Sequence, residues 1–206
     1  MSSVTIAETP TRMKSEDRRE LVLNAAMGVF GDYGYVGATT DQVAKAAGVS
    51  QPYVVRMFGT KEKLFLEVLH RALGAMLVAF RAALHGDPEV DLERRMGLAY
   101  FELLKQHGLL LSLMHSFVLG SDPVIGAAAR WGFLEIYSML RDEAGFTPLQ
   151  AHEFLSTGML ANTMISMRMG DLVDEDPRVQ EMLEACFPEK LGIVLELGKL
   201  HRPAAR

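Results

Sequence analysis

Residues 39–61 read TTDQVAKAAGVSQPYVVRMFGTK, and their spacing predicts two short helices joined by a tight turn. Thr39 caps the first helix, and Gln42 three residues later completes a capping box in which each side chain bonds the other residue's backbone N–H. Val43, Ala44 and Ala47 then fall on the inward face, and the two alanines are small enough for a second helix to pass close by. Gly48 stands where the first helix must stop, in a left-handed conformation that glycine adopts without steric cost. Val49 fills the corner, Ser50 is placed to cap the next helix, and Pro52 lies in its first turn, where a missing N–H is no loss. Gly59 ends that second helix and Thr60 caps a third. A plain helical hairpin needs only two helices and a glycine. The added box, corner and cationic flank are those of a helix-turn-helix that reads DNA.

Outward from this block the helical period continues in both directions. Upstream, Ser15 is placed to cap a helix running to about Tyr33, with Val22, Ala25, Ala26, Val29, Phe30 and Tyr33 on one face and Gly34 and Gly37 ending it. Residues 1–14 are polar and unpatterned, a flexible arm whose Arg12 and Lys14 either touch phosphate or remain solvated. Downstream, Leu64, Phe65, Val68, Leu69, Ala72, Leu73, Met76, Leu77, Phe80 and Leu84 describe one long helix over 61–84. At 1.5 Å per residue it is about 35 Å long, enough to carry a displacement from one end to the other. After the loop at 85–91, apolar-periodic stretches follow at about 91–106, 109–119, 123–144, 148–169 and 177–199, the last interrupted at Pro188. Gly108, SDP at 121–123, GFTP at 145–148 and GDLVDEDP at 170–177 separate them. Nothing alternates with period two. The expected fold is all-α, with an N-terminal three-helix domain at 15–66 and a larger helical bundle at 67–206 for ligand binding and dimerisation.

Composition narrows the function classes. The chain has 206 residues, 49% of them hydrophobic, but no apolar run reaches the roughly 18 residues of a membrane helix. The first twenty residues have no apolar signal region, and the single cysteine, Cys186, excludes an internal disulfide and a cysteine-cluster metal site. A reducing cytoplasm is the expected compartment. The six histidines never pair at metal-ligand spacing, and no nucleophile elbow, phosphate loop or dinucleotide loop occurs. GDLVDEDP lacks the spacing of a calcium loop. No catalytic residue, metal ligand or cofactor is therefore expected. The net charge of −5 is unevenly placed: residues 1–70 carry eight Lys/Arg against eight Asp/Glu, residues 71–206 thirteen against eighteen. Within 43–63, Lys45, Arg56, Lys61 and Lys63 face only Glu62. Phosphate attraction acts over about 8–10 Å, so this local excess governs more than the total does.

Over about residues 18–69 the sequence resembles the tetracycline-repressor (TetR) family of bacterial transcription regulators. The carrying residues are Ala25-Ala26, Phe30, the Gly34…Gly37-Ala38-Thr39-Thr40 turn, Val43-Ala44, Ala47-Gly48-Val49-Ser50, and Phe58 through Phe65. The resemblance implies a homodimer whose recognition helices, here about Gln51–Met57, enter the major groove at the two halves of a palindromic operator. Ser50, Gln51, Pro52 and Tyr53 then face the DNA; the Gln51 amide suits an adenine edge, and Tyr53 or Pro52 a thymine methyl. Thr40 and Lys61 match phosphate-contact positions at two helix starts. Val55 and Met57 depart from the family's usual aromatic and histidine, which puts some phosphate contacts in doubt and makes Arg56 the candidate replacement.

The resemblance also implies a pocket in the body and a four-helix contact between subunits from about 148–169 and 177–199, where Ser156, Gly158 and Ala161 suit close packing. Methionine and aromatic side chains crowd this region, and methionine adapts to irregular apolar ligands. The candidate ligand residues are Phe101, Met114, His115, Phe117, Trp131, Tyr137, Met159 and Asn162, with Ser112 and Ser116 as further polar groups needing partners. The expected function is a DNA-binding homodimeric repressor released by a small apolar ligand. The alternative is an all-α small-molecule carrier or sensor that does not act through DNA.

Overall fold

The computed structural model describes residues 15–187 and 191–200; the arm at 1–14 and Pro188 lie outside them. The described residues form ten α-helices and no strand, the expected all-α architecture. Helix α1 spans Ser15–Gly37, with Ser15 as its first helical residue rather than its cap, and it passes the expected end at Tyr33 through a kink at Gly34 (φ 66°, ψ 171°). Helices α2 (Thr40–Ala46), α3 (Gln51–Phe58) and α4 (Lys61–Leu84) follow. The capping box is present, with Thr39 N–H donating to Gln42 Oε1 at 2.8 Å and Gln42 N–H to Thr39 Oγ1 at 3.2 Å. Ser50 occupies the cap position of α3 but its side chain makes no capping bond. Pro52, in the first turn, has no N–H to offer it, and the Tyr53 N–H donates to the Ser50 carbonyl instead, at 3.0 Å.

The body comprises α5 (Leu92–Leu103), α6 (Leu109–Val118), α7 (Ile125–Ser138), α8 (Pro148–Ser166), α9 (Pro177–Cys186) and α10 (Leu191–Leu200). Two expected stretches subdivide: α7 widens into a π-helical turn at Met139–Glu143, and the 177–199 stretch is two helices with Phe187 buried at the break. One continuous core runs through the whole molecule. In the head it comprises Val22, Ala26, Phe30, Val43, Ala44, Val54, Phe58, Leu64 and Phe65, all buried. Each large side chain there contributes about 1.5–3 kcal/mol by leaving water. Phe30 of α1 meets Phe65 of α4 edge-on at 4.8 Å between centroids, and Tyr35 lies 5.1 Å from Phe65. Helix α4 then continues into the body and packs on α5, α6 and α7 as well as on α1 and α3.

The second junction between head and body joins α1 to α6 and depends on two glycines. A Cβ on Gly31 would stand 2.5 Å from the Gly108 Cα, and one on Gly108 would be driven into the Met27 carbonyl. Gly108 has φ 80°, which glycine alone adopts without strain. Beside this contact the buried Ser112 hydroxyl donates to the Met27 carbonyl at 3.2 Å, and His107 Nε2 lies 3.1 Å from Asp32 Oδ1. Gly108→Ala combines left-handed strain with backbone overlap and is expected to lower the unfolding free energy by about 3 kcal/mol. Gly48→Ala, at φ 64° with nothing within 4 Å of its Cβ, should cost only about 1 kcal/mol. Urea unfolding of the two variants checks the difference; equal losses would show that the α1–α6 contact is not tight.

Candidate functional site

Thr40 opens α2 and Gln51 opens α3, and the turn between them brings the two together: Gln51 Nε2 donates to Thr40 Oγ1 at 3.1 Å. Pro52 and Ser50 are exposed beside them, and Tyr53 is half-buried. The exposed Arg56 places its guanidinium 5.2 Å from the centre of the Tyr53 ring, a cation–π contact that aligns both side chains on α3. Of the two atypical positions, Val55 is exposed and Met57 packs against the core. Lys45 pairs with Asp41 at 2.8 Å, one turn back on α2. Lys61 is placed differently from the other six. Its ammonium donates to the carbonyls of Tyr35 at 2.8 Å, Ala38 at 3.0 Å and Val36 at 3.4 Å, and lies 4.7 Å from the Tyr35 ring centre. It therefore closes the C-terminal end of α1, where the helix dipole favours a cation. Sequence reasoning missed this role; three carbonyls just before the Thr39 cap were the available signal.

Behind α4 lies a cavity of ≈ 580 Å³ walled by α4, α5, α6, α7 and α8. Five of the eight predicted ligand residues line it: Phe101, Phe117, Trp131, Met159 and Asn162. Tyr137 lines a neighbouring depression with Phe117 and Phe133, while Met114 and His115 line neither. The His115 ring instead faces Gly34 of α1, where an added Cβ would lie 3.1 Å from its Cε1. Ser112 is satisfied by α1, and Ser116 donates to the Leu113 carbonyl at 2.7 Å, so neither hydroxyl is left waiting for a ligand. The residues that sequence reasoning missed come chiefly from α4: Leu66, Leu69, Leu73, Met76 and Phe80. They read as plain core in the sequence, because only the approach of four other helices leaves a void against that face.

One polar pair sits in this apolar wall. The buried Tyr100 hydroxyl donates to Asn162 Oδ1 at 2.5 Å. Burial pushes the Tyr100 phenol far above its ordinary value of 10, outweighing the opposite effect of the Asn162 hydrogen bond. The phenol is thus a neutral donor at physiological pH. At the opening, Glu93 and Glu135 are exposed and Glu67 is paired with Arg19 of α1. Among the described residues no group of three His, Cys, Asp or Glu side chains is placed to hold a metal ion, and no helix is long and apolar enough to cross a membrane.

Residues 22–68 match the family described as bacterial regulatory proteins, tetR family. The chain is 27% identical over 166 residues to the HTH-type transcriptional activator FasR of Mycolicibacterium smegmatis, covering 76% of this chain and 74% of that protein. Residues 22–68 are thus a helix-turn-helix domain of the TetR type. The family so matched is one of DNA-binding transcriptional regulators rather than enzymes. A further relative, the uncharacterized HTH-type transcriptional regulator YhgD of Bacillus subtilis, is 32% identical over 102 residues, 48% of this chain and 52% of that one. The likeness of fold extends over the body too: a tetR-family transcriptional regulator from Streptomyces coelicolor superposes with a TM-score of 0.53 at 20% identity, covering 93% of this chain and 92% of that one.

The raised Tyr100 phenol makes the protein's stability fall with pH in the alkaline range. The folded-state value is raised, so the stabilisation is complete below the unfolded phenol's value of 10 and is lost as pH rises above it, where the unfolded chain releases a proton that the folded one retains. Tyr100→Phe is expected to unfold about 1–2 kcal/mol more easily at neutral pH, because Asn162 Oδ1 loses its donor. Its stability should also fall less steeply above pH 10. Chemical denaturation across the alkaline range checks both; parallel curves for the variant and the parent would contradict the assignment.

Proposed function

We propose that this protein is a homodimeric, cytoplasmic repressor that leaves a palindromic operator when a small apolar molecule fills the cavity behind α4. The observation that carries the reading is the double use of α6. Its residues Leu113, Ser116 and Phe117 line the cavity, while Gly108 and Ser112 seat α1, the helix that supports the reader. A ligand that displaces the α6 wall displaces α1 with it, and α4 offers a second, parallel route through Leu66 and Leu69 to Phe65. A ligand must bind the two arrangements with different affinities to shift their populations, and a cavity whose wall is also the reader's support meets that requirement.

The division at 15–66 and 67–206 is retained as a functional one, although α4 runs unbroken across it. Ser50, Gln51, Pro52 and Tyr53 are assigned to base edges and sugar–phosphate, with Thr40 and Arg56 on phosphate. The Thr40–Gln51 hydrogen bond supports this by pre-orienting the Gln51 amide. Lys61 is assigned a phosphate role only through its neighbourhood, since its ammonium also holds the end of α1. For the dimer, the exposed Leu149 and Leu160 on α8 support pairing through that helix. Gly158 lines the cavity and Ala161 is buried, so of the three small residues only Ser156 remains available to a partner. Half-sites about 34–36 Å apart, one turn of DNA, follow from such a dimer.

Selection of bound duplexes from random DNA at fixed salt tests the reading. An enriched palindrome is expected; folded protein that enriches nothing would favour the carrier or sensor that does not act through DNA. Tyr53→Ala should change the preferred sequence at one half-site position, with discrimination there falling by about 1–3 kcal/mol. Lys61→Ala should weaken all sequences alike and lower stability by about 1 kcal/mol, as the α1 carbonyls return to water. Transcription from the selected operator, with and without the protein, then reads the sign of regulation, on which FasR bears as a relative named an activator.

A further inference from the structure

Two buried polar groups line the cavity besides Tyr100: Ser116, whose hydroxyl donates to the Leu113 carbonyl, and Asn162, whose amide N–H defines the chemistry of what fills it. Asn162 is 7% exposed and lines the cavity. Its Oδ1 is taken by the Tyr100 hydroxyl, while its Nδ2 meets only the Met159 sulfur, at 3.9 Å. The orientation of the amide is set by chemistry: a thioether accepts but cannot donate, so the NH2 must be the group that faces it. A buried amide with two N–H donors and a single weak sulfur acceptor is under-satisfied, and such groups in native interiors have a partner. The rest of the lining excludes an ionic one. Besides Tyr100 its ionisable members are Glu67, Glu93, Glu135 and the exposed His70, and it contains no lysine or arginine. An anion entering it would lose its hydration without meeting a lysine or arginine, and the exposed His70 can be reached without entering. A cation would meet the exposed carboxylates of Glu93 and Glu135 but only neutral groups beside Asn162, whose Oδ1 already accepts from Tyr100.

Building on the cavity reading above, we propose that the ligand is an uncharged, mainly hydrocarbon molecule bearing one hydrogen-bond-accepting oxygen, a carbonyl or ether, which takes the Asn162 N–H, with Tyr100 as the positioning residue. Tyr100 holds the amide in register by occupying its oxygen, so that the donor side faces the void. The apolar contact comes from α4 and from Phe101, Phe117 and Phe154. Ligand binding is then selected twice, by exclusion of charge and by a single directed donor.

Four probes of equal chain length separate these terms: methyl hexyl ketone, octane, octanoate and octyltrimethylammonium. Trp131 lines the cavity and is the chain's single tryptophan, so its emission reports occupancy, with the shift in melting temperature as a second readout. The ketone is expected to bind about tenfold more tightly than octane, and both charged probes more weakly than the ketone. Asn162→Leu should remove about tenfold of the ketone's affinity and leave octane unchanged, which also shows that the variant's cavity is intact. Tyr100→Phe should lower the ketone's affinity by about three- to fivefold and leave octane unchanged, because the donor remains but is no longer held in register. The proposal is overturned if the ketone gains nothing over octane, if Asn162→Leu leaves that gain in place, or if either charged probe binds best. Failure of all four probes to move either readout would instead remove the ligand cavity itself, and this inference with it.

Discussion

The backbone contact between Gly31 of α1 and Gly108 at the start of α6 is the constraint on which the relation of head to body depends. Helices that present side chains to each other hold their axes about 8–10 Å apart. Here both partners give up the side chain, and the start of α6 rests on the peptide groups of α1. Such closeness buries the Met27 carbonyl, and Ser112 on the next turn of α6 supplies a donor to it. The contact contains no long side chain able to change rotamer and absorb a shift. What moves the first turns of α6 must therefore move α1 or break the contact.

Helix α4 makes the same connection by different means. Its first two turns place Leu64 and Phe65 in the head core against Phe30, and its last turns place Phe80 against Tyr100 and Phe154 at ring separations of 6.2 and 5.6 Å. Between them one face of the helix lines the cavity. The capped start at Thr60, whose hydroxyl accepts from the Lys63 N–H at 3.1 Å, and the Lys61 clamp on the end of α1 fix where this helix begins relative to the reader. Head and body are thus joined by a glycine seat and a continuous rod, with no flexible linker between them. Packed interiors of this kind respond by switching between arrangements rather than by yielding gradually.

The head was legible in the sequence because its determinants are local. A capping box, a left-handed glycine and a proline in a first turn each act within four residues, so Thr39, Gln42, Gly48 and Pro52 could be placed from spacing alone. The cavity was only half legible because it is a property of five helices at once. Met96 and Met139 are fully buried core, whereas Met76 and Met159 face the void, and nothing in their own neighbourhoods distinguishes them. His115 and Ser112 were rightly singled out as polar groups in apolar surroundings, yet their counterpart is α1, some eighty residues earlier in the chain. Gly108 looked like a helix separator. Its second role appears only when α1 is laid across it.

The uneven charge follows from the same arrangement. In the proposed regulator the head needs cations near phosphate, and it concentrates them at Arg56 and Lys63 while Lys45 and Lys61 are partly committed within the fold. The body needs none, and its acidic excess includes Glu93 and Glu135, exposed carboxylates of the cavity lining. An anionic metabolite, or a stretch of nucleic acid, approaching the cavity meets repulsion before it meets apolar surface. The electrostatics thereby sort the two proposed partners to opposite ends of the molecule, DNA to α3 and an uncharged ligand to the void behind α4. Among the described residues the glycine seat and the α4 rod are rigid paths between those ends. A protein so divided has no need for the two sites to touch, since each biases the packing that the other depends on.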